Sequence, residues 1–452
     1  MSDAGENLLF TLYPYFSTPI ESAHGCTLTA ADGKDYLDLA SGQLSVLLGH
    51  SHTRIVDAAA RQAAQVVHLG NRFYGKATLD ACEELVSVAP AGLNRIILCS
   101  TGSEANEMAV RIARAATGKS ELVGLAKGYY GCTNLLLSMS DYVGFIQGTG
   151  IRAPGLHRLP APDCLHCSLG LTHPECGLRC LALGAENLEK ESTGSIAAFL
   201  VEPVLGSGGV VVPPPGYLKG LQALCRKYGA LLIADEAQTG LGRTGRWWGM
   251  EHAGIVPDVL VVSKALGNGF PVAAVLTRAD VEARCINAPL ANMSSHSFDP
   301  FGAAVAAEVI RTIKAEGIVE RSAQMGAYML EGLTQLSQRR RLLTNPRGCG
   351  LMLGLDVVSR QSNGKPDPMT SLALEAECLL RGVVVGYSAL SGVLRILPPA
   401  VITREQVDRS IAVLDEAAGF LEDNDVDVSR YMPEHNGSAL LAVSFLRRLM
   451  KK

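Results

Sequence analysis

Charge of either sign is scarce in this 452-residue chain: Asp, Glu, Lys and Arg make up 19% of it and the formal net charge is −4. Its basic runs are confined to Arg339-Arg340-Arg341 and the Arg447–Lys452 tail. That is too little cationic surface for a polyanion, so nucleic acid is not an expected partner. Also missing is any apolar run approaching the roughly 18 residues of a membrane span. The first residues, Met-Ser-Asp-Ala-Gly-Glu-Asn, carry neither a basic nor an apolar stretch, so no secretory signal and a cytoplasmic location are expected. Without export, the triplets starting at Asn292 and Asn436 have no meaning as glycosylation sites. Internal repeats and low-complexity linkers are absent.

What is present suits a large, well-buried enzyme. The mean hydropathy is +0.19, and the length exceeds what one core usually holds. Candidate strands are 96–100, 121–126, 197–204, 230–236, 259–264 and 273–277. They are rich in Val, Ile, Leu and Ala with little alternation, as in strands covered on both faces. Between them lie helical patterns such as 104–116, with apolar positions 105, 108, 109, 112, 113 and 116. The pattern predicts an α/β fold with a mostly parallel sheet. Beyond residue 305 it changes to a helix (303–315), further helices, and short strands near 350–357 and 383–397. Three units follow: an N-terminal segment 1–58, a large domain 59–304 and a C-terminal α+β domain 305–452. A polar turn after Asp423 and a short helix at Ser438–Leu449 close the chain.

The run Val259-Leu-Val-Val-Ser-Lys264 ends in an amine. By itself a strand-terminal lysine is an ordinary solvated end. If buried, it tends toward the free base, the nucleophile that forms an imine with a carbonyl. Asp235 stands 29 positions earlier, at the end of another strand, where a carboxylate is either a helix cap or a counter-ion. Strand 96–100 runs into Thr101-Gly102-Ser103-Glu104. Thr101 and Glu104 have capping-box spacing, and glycine and hydroxyls beside free helical N–H groups also suit a phosphate.

Taken together, Ser-Thr-Gly-Ser-Glu-Ala-Asn-Glu (100–107), Glu202-Pro203, Ala234-Asp-Glu-Ala-Gln238, Ser263-Lys264 and Arg395-Ile-Leu-Pro-Pro399 resemble the class III aminotransferases. The likeness covers roughly residues 25 to 420. It implies a pyridoxal 5′-phosphate (PLP) enzyme of fold type I, with a seven-stranded sheet in the large domain. Lys264 then forms the Schiff base and Asp235 keeps the pyridine nitrogen protonated, so that the ring acts as an electron sink. Gln238 meets the ring hydroxyl, and Thr101, Gly102 and Ser103 take the phosphate. Tyr129, or else its neighbour Tyr130, stacks on the ring. Ser295 completes the phosphate site of a neighbouring subunit, which implies a homodimer or a dimer of dimers with shared active sites.

Within the family, Ser-Gly-Gln43 looks like the 2,2-dialkylglycine decarboxylases, in which the glutamine touches the carboxylate that leaves. The resemblance implies decarboxylating transamination of substrates such as 2-aminoisobutyrate to carbon dioxide and a ketone, with amino transfer to a 2-oxo acid such as pyruvate. The alternative is an ordinary class III aminotransferase acting on an amine or ω-amino acid. Arg395 matches the arginine that grips the oxo-acid carboxylate. Glu202 reads as polar scaffolding near Arg395 or Gln238, and Ser207 as a pocket residue. Those decarboxylases also bind an alkali cation. Asp299, the carbonyls of Leu69 and Ser297, and the Ser295 hydroxyl match it. The chain departs from them at Tyr129-Tyr130-Gly131-Cys132, where they have Trp-His-Gly-Met, and in the compact stretch 386–392.

Most of the twelve cysteines (Cys99, Cys132 and Cys225 among them) lie in apolar runs and read as small core residues. Four do not. Cys164, Cys167, Cys176 and Cys180 fall within 17 residues of an insertion, 160–183, that is short of core-forming side chains. Structural zinc, disulfides and free thiols are all open readings of that spacing.

Overall fold

A computed structural model describes residues 19–424, except residue 71, the segment 142–151, residues 287, 289 and 291, and 387–390. The proposed helix at Ser438–Leu449 and most of the stretch 386–392 lie outside the described residues.

Three short strands open the described chain: β1 (Ile20–His24), β2 (Thr27–Ala30) and β3 (Asp35–Asp38). The large sheet follows with β4 (Arg95–Cys99), β5 (Glu121–Leu125), β6 (Leu156–Leu159), β7 (Ile196–Val201), β8 (Leu231–Asp235), β9 (Val259–Val262) and β10 (Ala273–Thr277). Its order is β4-β10-β9-β8-β7-β5-β6. Only β10 runs antiparallel to its neighbours, pairing Ala273 with Cys99 on one side and Ala274 with Val262 on the other.

The lack of alternation in these strands is explained by cover on both faces. In β8, Leu231 and Ile233 pack with Met108, Ile112 and Val261 on one side. Leu232 and Ala234 pack with Phe199, Leu221 and Leu224 on the other. The first side is closed by the helix Gly102–Thr117, which buries Ala105, Met108, Ala109, Ile112 and Ala113. That helix ends where Gly118, at φ 66°, enters the left-handed region open to glycine.

The C-terminal part holds β11 (Leu343–Cys349), β12 (Met352–Val357), β13 (Val383–Val384) and β14 (Val393–Ile396). β11, β12 and β14 form an antiparallel sheet, whereas β13 pairs in parallel with β3, joining Val383 to Leu37. The two regions meet along the helices Pro300–Ala315 and Ile318–Arg339, whose buried residues share one core with Leu260, Val262 and Leu276.

Several strands stop earlier than their composition suggests. β7 ends at Val201 because the Glu202 carboxylate gathers the N–H groups of Tyr129 and Gly206 and turns the chain. β9 ends at Val262, two residues before the lysine. The helix of the C-terminal region starts at Pro300 rather than Ala303, with proline in the first turn, where its missing N–H costs nothing. The capping box at 101–104 is half formed: Thr101 Oγ1 accepts from Glu104 N at 3.2 Å, but Glu104 Oε2 accepts from Ser100 N. Cys132 is exposed, not core, because Gly131 (φ 141°) turns it out toward Ser103.

Candidate active site

The carboxyl ends of β4, β7, β8 and β9 converge, and the side chains singled out above cluster there. Asp235 pairs with Val261, and Glu236 N donates to Val261 O at 2.8 Å. This register sets the residues after Val262 beside Asp235. Ser263 is extended, and Lys264 then takes φ 43°, a conformation unfavourable for a side chain with a Cβ. Such strain at a named position costs on the order of 1–3 kcal/mol and marks a site where the surroundings dictate geometry. A turn from Lys264 to Gly267 maintains it, with Gly267 N donating to Lys264 O at 3.1 Å. No larger residue replaces Gly267, since a Cβ there would fall 1.8 Å from Phe270 O.

Burial lowers the Lys264 pKa, and the charge of Arg395 lowers it further; Asp235 and Glu202 pull the other way. The lysine is thus an amine biased toward its neutral, nucleophilic form. Asp235 is 5% exposed. Burial raises its pKa, opposed by Lys264 and by hydrogen bonds from Asn106 and Ala237. Asn106 Nδ2 donates to Asp235 Oδ2 and to Tyr130 O, both at 2.7 Å. This asparagine, which the sequence did not single out, fixes the carboxylate's orientation. Its only signal was a polar residue inside a buried helical face.

The two tyrosines separate cleanly. Tyr130 is 2% exposed, packs with Met108 and Leu136, and its hydroxyl accepts from Leu125 N at 2.8 Å. Tyr129 is partly exposed, with its backbone N–H on Glu202 Oε1 at 2.9 Å. Glu202 Oε2 accepts from Gly206 N, also at 2.9 Å. Burial, reinforced by Asp235, pushes Glu202 up to about 8.

Gly206 lies against Gln238: a Cβ at 206 would sit 2.3 Å from Gln238 Oε1. That oxygen is buried and accepts no hydrogen bond among the described residues. Gly102 is close to Ser263, whose Oγ would be 3.3 Å from an added Cβ. The first N–H groups of the helix at Gly102 lack partners within it by helix geometry. Ser103 Oγ accepts from Cys132 N at 3.1 Å. A buried carboxylate, a strained amine, an orphaned amide oxygen and an anion cradle on one rim match the donor set that PLP needs.

The segment Ser41–Leu44 approaches from the N-terminal region with positive φ at Ser41, Gly42 and Leu44. Asp38 holds it through Ala40 N and Gly42 N, each at 2.7 Å, while Ser41 Oγ donates to Leu397 O at 2.6 Å. Fully buried Arg243 donates to Ser41 Oγ, Leu351 O and Pro398 O. Leu44 packs with Val204, Val210, Met352 and Leu397, so the turn is wedged between the Glu202 loop and the Arg395 strand. Gln43 remains exposed on it. Ser207 is partly buried in the turn that follows Glu202, where Leu205 bridges Val211.

Arg395 is 8% exposed in β14, opposite Gly354 and bridged to Gly386. Glu375 lies within its electrostatic reach, and burial pushes this carboxyl up to about 8 despite the arginine. A raised folded pKa means stability present at pH 4.5 and lost as pH rises through about 8. Glu375→Gln is expected to flatten the decline of the urea midpoint across that window; an unchanged slope would show Glu375 ionised throughout.

Ser295 is exposed. Asp299 is occupied differently from the expected cation site: Oδ1 is 2.7 Å from His68 Nδ1 and Oδ2 is 2.6 Å from His296 Nδ1. Neither histidine was picked out from the sequence. These three residues form a convergent set of potential metal ligands among the described residues. All twelve cysteines are free thiols. No described helix is long and apolar enough to cross a membrane.

The family model for class-III aminotransferases matches residues 13–418. This chain belongs to the class III aminotransferase family. An uncharacterised aminotransferase of Schizosaccharomyces pombe is 34% identical over 408 residues, covering 89% of this chain and 90% of that protein. Isoleucine 2-epimerase of Lentilactobacillus buchneri is 30% identical, over 92% of this chain and 93% of the enzyme. Among solved structures, an (S)-enantioselective ω-transaminase from Thermomicrobium roseum superposes with a TM-score of 0.86 at 30% identity, covering 92% of this chain and 98% of that one. PLP is the cofactor expected of a class III aminotransferase, and the fold is that of the type I PLP enzymes.

Proposed function

We propose that the chain is a PLP-dependent aminotransferase whose first half-reaction decarboxylates a 2,2-dialkylglycine and whose second aminates a 2-oxo acid. The observation that carries the catalytic core of this reading is the strained, buried Lys264 beside Asp235. When bound, PLP supplies an aldehyde for the substrate's amino group and a cationic ring that withdraws the electron pair left at the α-carbon. Lys264 Nζ anchors that aldehyde between turnovers and carries the mobile proton once displaced. Asp235 holds the proton on the ring nitrogen, Gln238 faces the ring oxygen, and Tyr129 covers the ring. Thr101, Gly102 and Ser103 hold the phosphate, with Ser295 of a second copy completing it in a homodimer.

Gln43 carries the choice of bond. A donor that keeps the substrate carboxylate perpendicular to the ring favours loss of carbon dioxide over removal of an α-proton. The pinned, positive-φ turn that bears Gln43 supports this role. Arg395 then grips the carboxylate of the incoming oxo acid, with Ser207 lining the pocket. An alkali cation beside Asp299 would have to displace the contacts of His68 and His296.

A second reading, ordinary transamination without decarboxylation, is favoured by the relatives, which are named as an aminotransferase, an epimerase and an ω-transaminase. Incubation with 2-aminoisobutyrate and pyruvate separates the two. Carbon dioxide and alanine in equal amounts are expected, and Gln43→Ala should lower the gas yield at least tenfold, the low end of a positioned-donor effect. Alanine formed from other amino donors, with no gas from 2-aminoisobutyrate, would establish the ordinary enzyme instead.

A further inference from the structure

Between β6 and the helix Arg179–Glu191 the chain runs through residues 160–178 in turns alone. Loops longer than about 12–15 residues without their own secondary structure are uncommon in compact domains, and an ordered one needs something to hold it. Apolar packing supplies little here, since Leu165 is 51% and Leu171 42% exposed. What the segment does have is a cavity of about 340 Å³ lined by Cys164, Cys167, Cys176, Cys180 and His173.

The backbone around these thiols forms two short knuckles. Gly170 N donates to Cys167 O at 3.0 Å, closing a turn just after the first pair. Arg179 N donates to Cys176 O at 3.0 Å, closing another between the second pair. Gly170 and Gly177 sit at φ 65° and 56° with open space around them, so conformation rather than packing requires glycine there. Cys180 occupies the first turn of the helix, where the N–H groups of Leu181 and Cys180 donate to its sulfur. Such donors favour a thiolate. Four sulfurs from two turns, with no disulfide formed among them, are the donor set of a closed tetrahedral zinc site.

We propose that Cys164, Cys167, Cys176 and Cys180 bind one structural zinc ion that fixes the 160–178 segment against both halves of the molecule. The route to the second half is His166, which sits between the first two cysteines. Its Nδ1 is 3.3 Å from Asp163 Oδ2, and its Nε2 lies 2.9 Å from Asp356 Oδ2 as an ion contact not aligned as a hydrogen bond. Asp163 also holds Lys127, two residues before Tyr129. Asp356 belongs to β12 and is gripped by Arg347, which in turn binds Gly209 O beside Ser207. The zinc would thereby stiffen a bridge that reaches both walls of the catalytic pocket. No step of the chemistry passes through it.

The test uses the intact protein purified without chelators. Elemental analysis should find one zinc per chain, released as a mercurial titrates four thiols. Cys164→Ser/Cys176→Ser should lose that zinc, and His68→Ala/His296→Ala should keep it. If the double cysteine variant does not fold, the mercurial titration of the native protein still decides the matter. Hydrogen exchange after zinc removal should rise in residues 160–178 and in β12. Four reactive thiols with no metal after expression in zinc-supplemented medium would overturn the proposal. So would a mass deficit of two hydrogens per cysteine pair, or zinc that leaves with the histidines instead of the cysteines.

Discussion

Lys264→Ala is expected to lower kcat at least about a thousandfold, within the range for loss of a positioned proton carrier, and more if the anchoring step also fails. The fold should survive the change. Alanine tolerates the turn no worse than lysine does, because both have a Cβ at φ 43° and the Lys264–Gly267 hydrogen bond involves only backbone. Removing the amine also removes a charge that burial disfavours. Asp235 and Glu202 lose a neighbour that holds their pKa values down, so both move further up. The readouts are steady-state rate, near-ultraviolet circular dichroism and borohydride labelling. Wild-type holoprotein should take the label at residue 264, and the variant should take none. A variant with native dichroism and a rate within tenfold of wild type would sink the assignment of Lys264 as the reactive amine.

The sheet was legible because its strands need no alternation. Each is covered on both faces, so the composition of 231–235 or 259–262 marks it as central without any knowledge of its neighbours. Strand ends were less legible, because they are set by contacts distant in sequence. Glu202 stops β7 by binding the N–H of Tyr129, 73 positions away. Arg243 and Asn268 illustrate the same limit. The arginine joins Ser41 to Leu351 and Pro398, and the asparagine clamps Leu48 N and Gly49 O. Both lie in polar stretches where nothing local distinguishes a buried clamp from a solvated side chain. Cys132 failed for a related reason: an apolar neighbourhood in sequence says nothing of a glycine turn that rotates one residue outward. The catalytic side chains were legible in kind because a motif names them, whereas the groups that orient them, Asn106 above all, were not.

Asp235→Asn is expected to lower kcat by at least a hundredfold, the low end for a misplaced proton partner, and to weaken cofactor retention. The change is isosteric, so its effect comes from hydrogen-bond polarity and charge. Asp235 Oδ1 accepts from Ala237 N at 3.0 Å, and an asparagine oxygen can keep that bond. Its amide nitrogen then occupies the Oδ2 position, 2.7 Å from Asn106 Nδ2, where two donors face each other. Rotating the Asn106 amide does not relieve the conflict, because its oxygen would meet Tyr130 O, which Nδ2 now satisfies at 2.7 Å. Rotating residue 235 instead places the new amide against Ala237 N. Either way a buried donor or acceptor is left unmatched, at a cost of about 1–3 kcal/mol. The loss of negative charge matters separately: a neutral amide cannot hold a proton on a ring nitrogen opposite it. Asp235→Glu keeps the charge and disturbs the geometry, so it should retain more activity than Asp235→Asn while losing comparable thermal stability. Rates and melting temperatures of the two variants, measured with saturating PLP, check this ordering. Equal activity in both would mean that the position serves packing, not the charge of the ring.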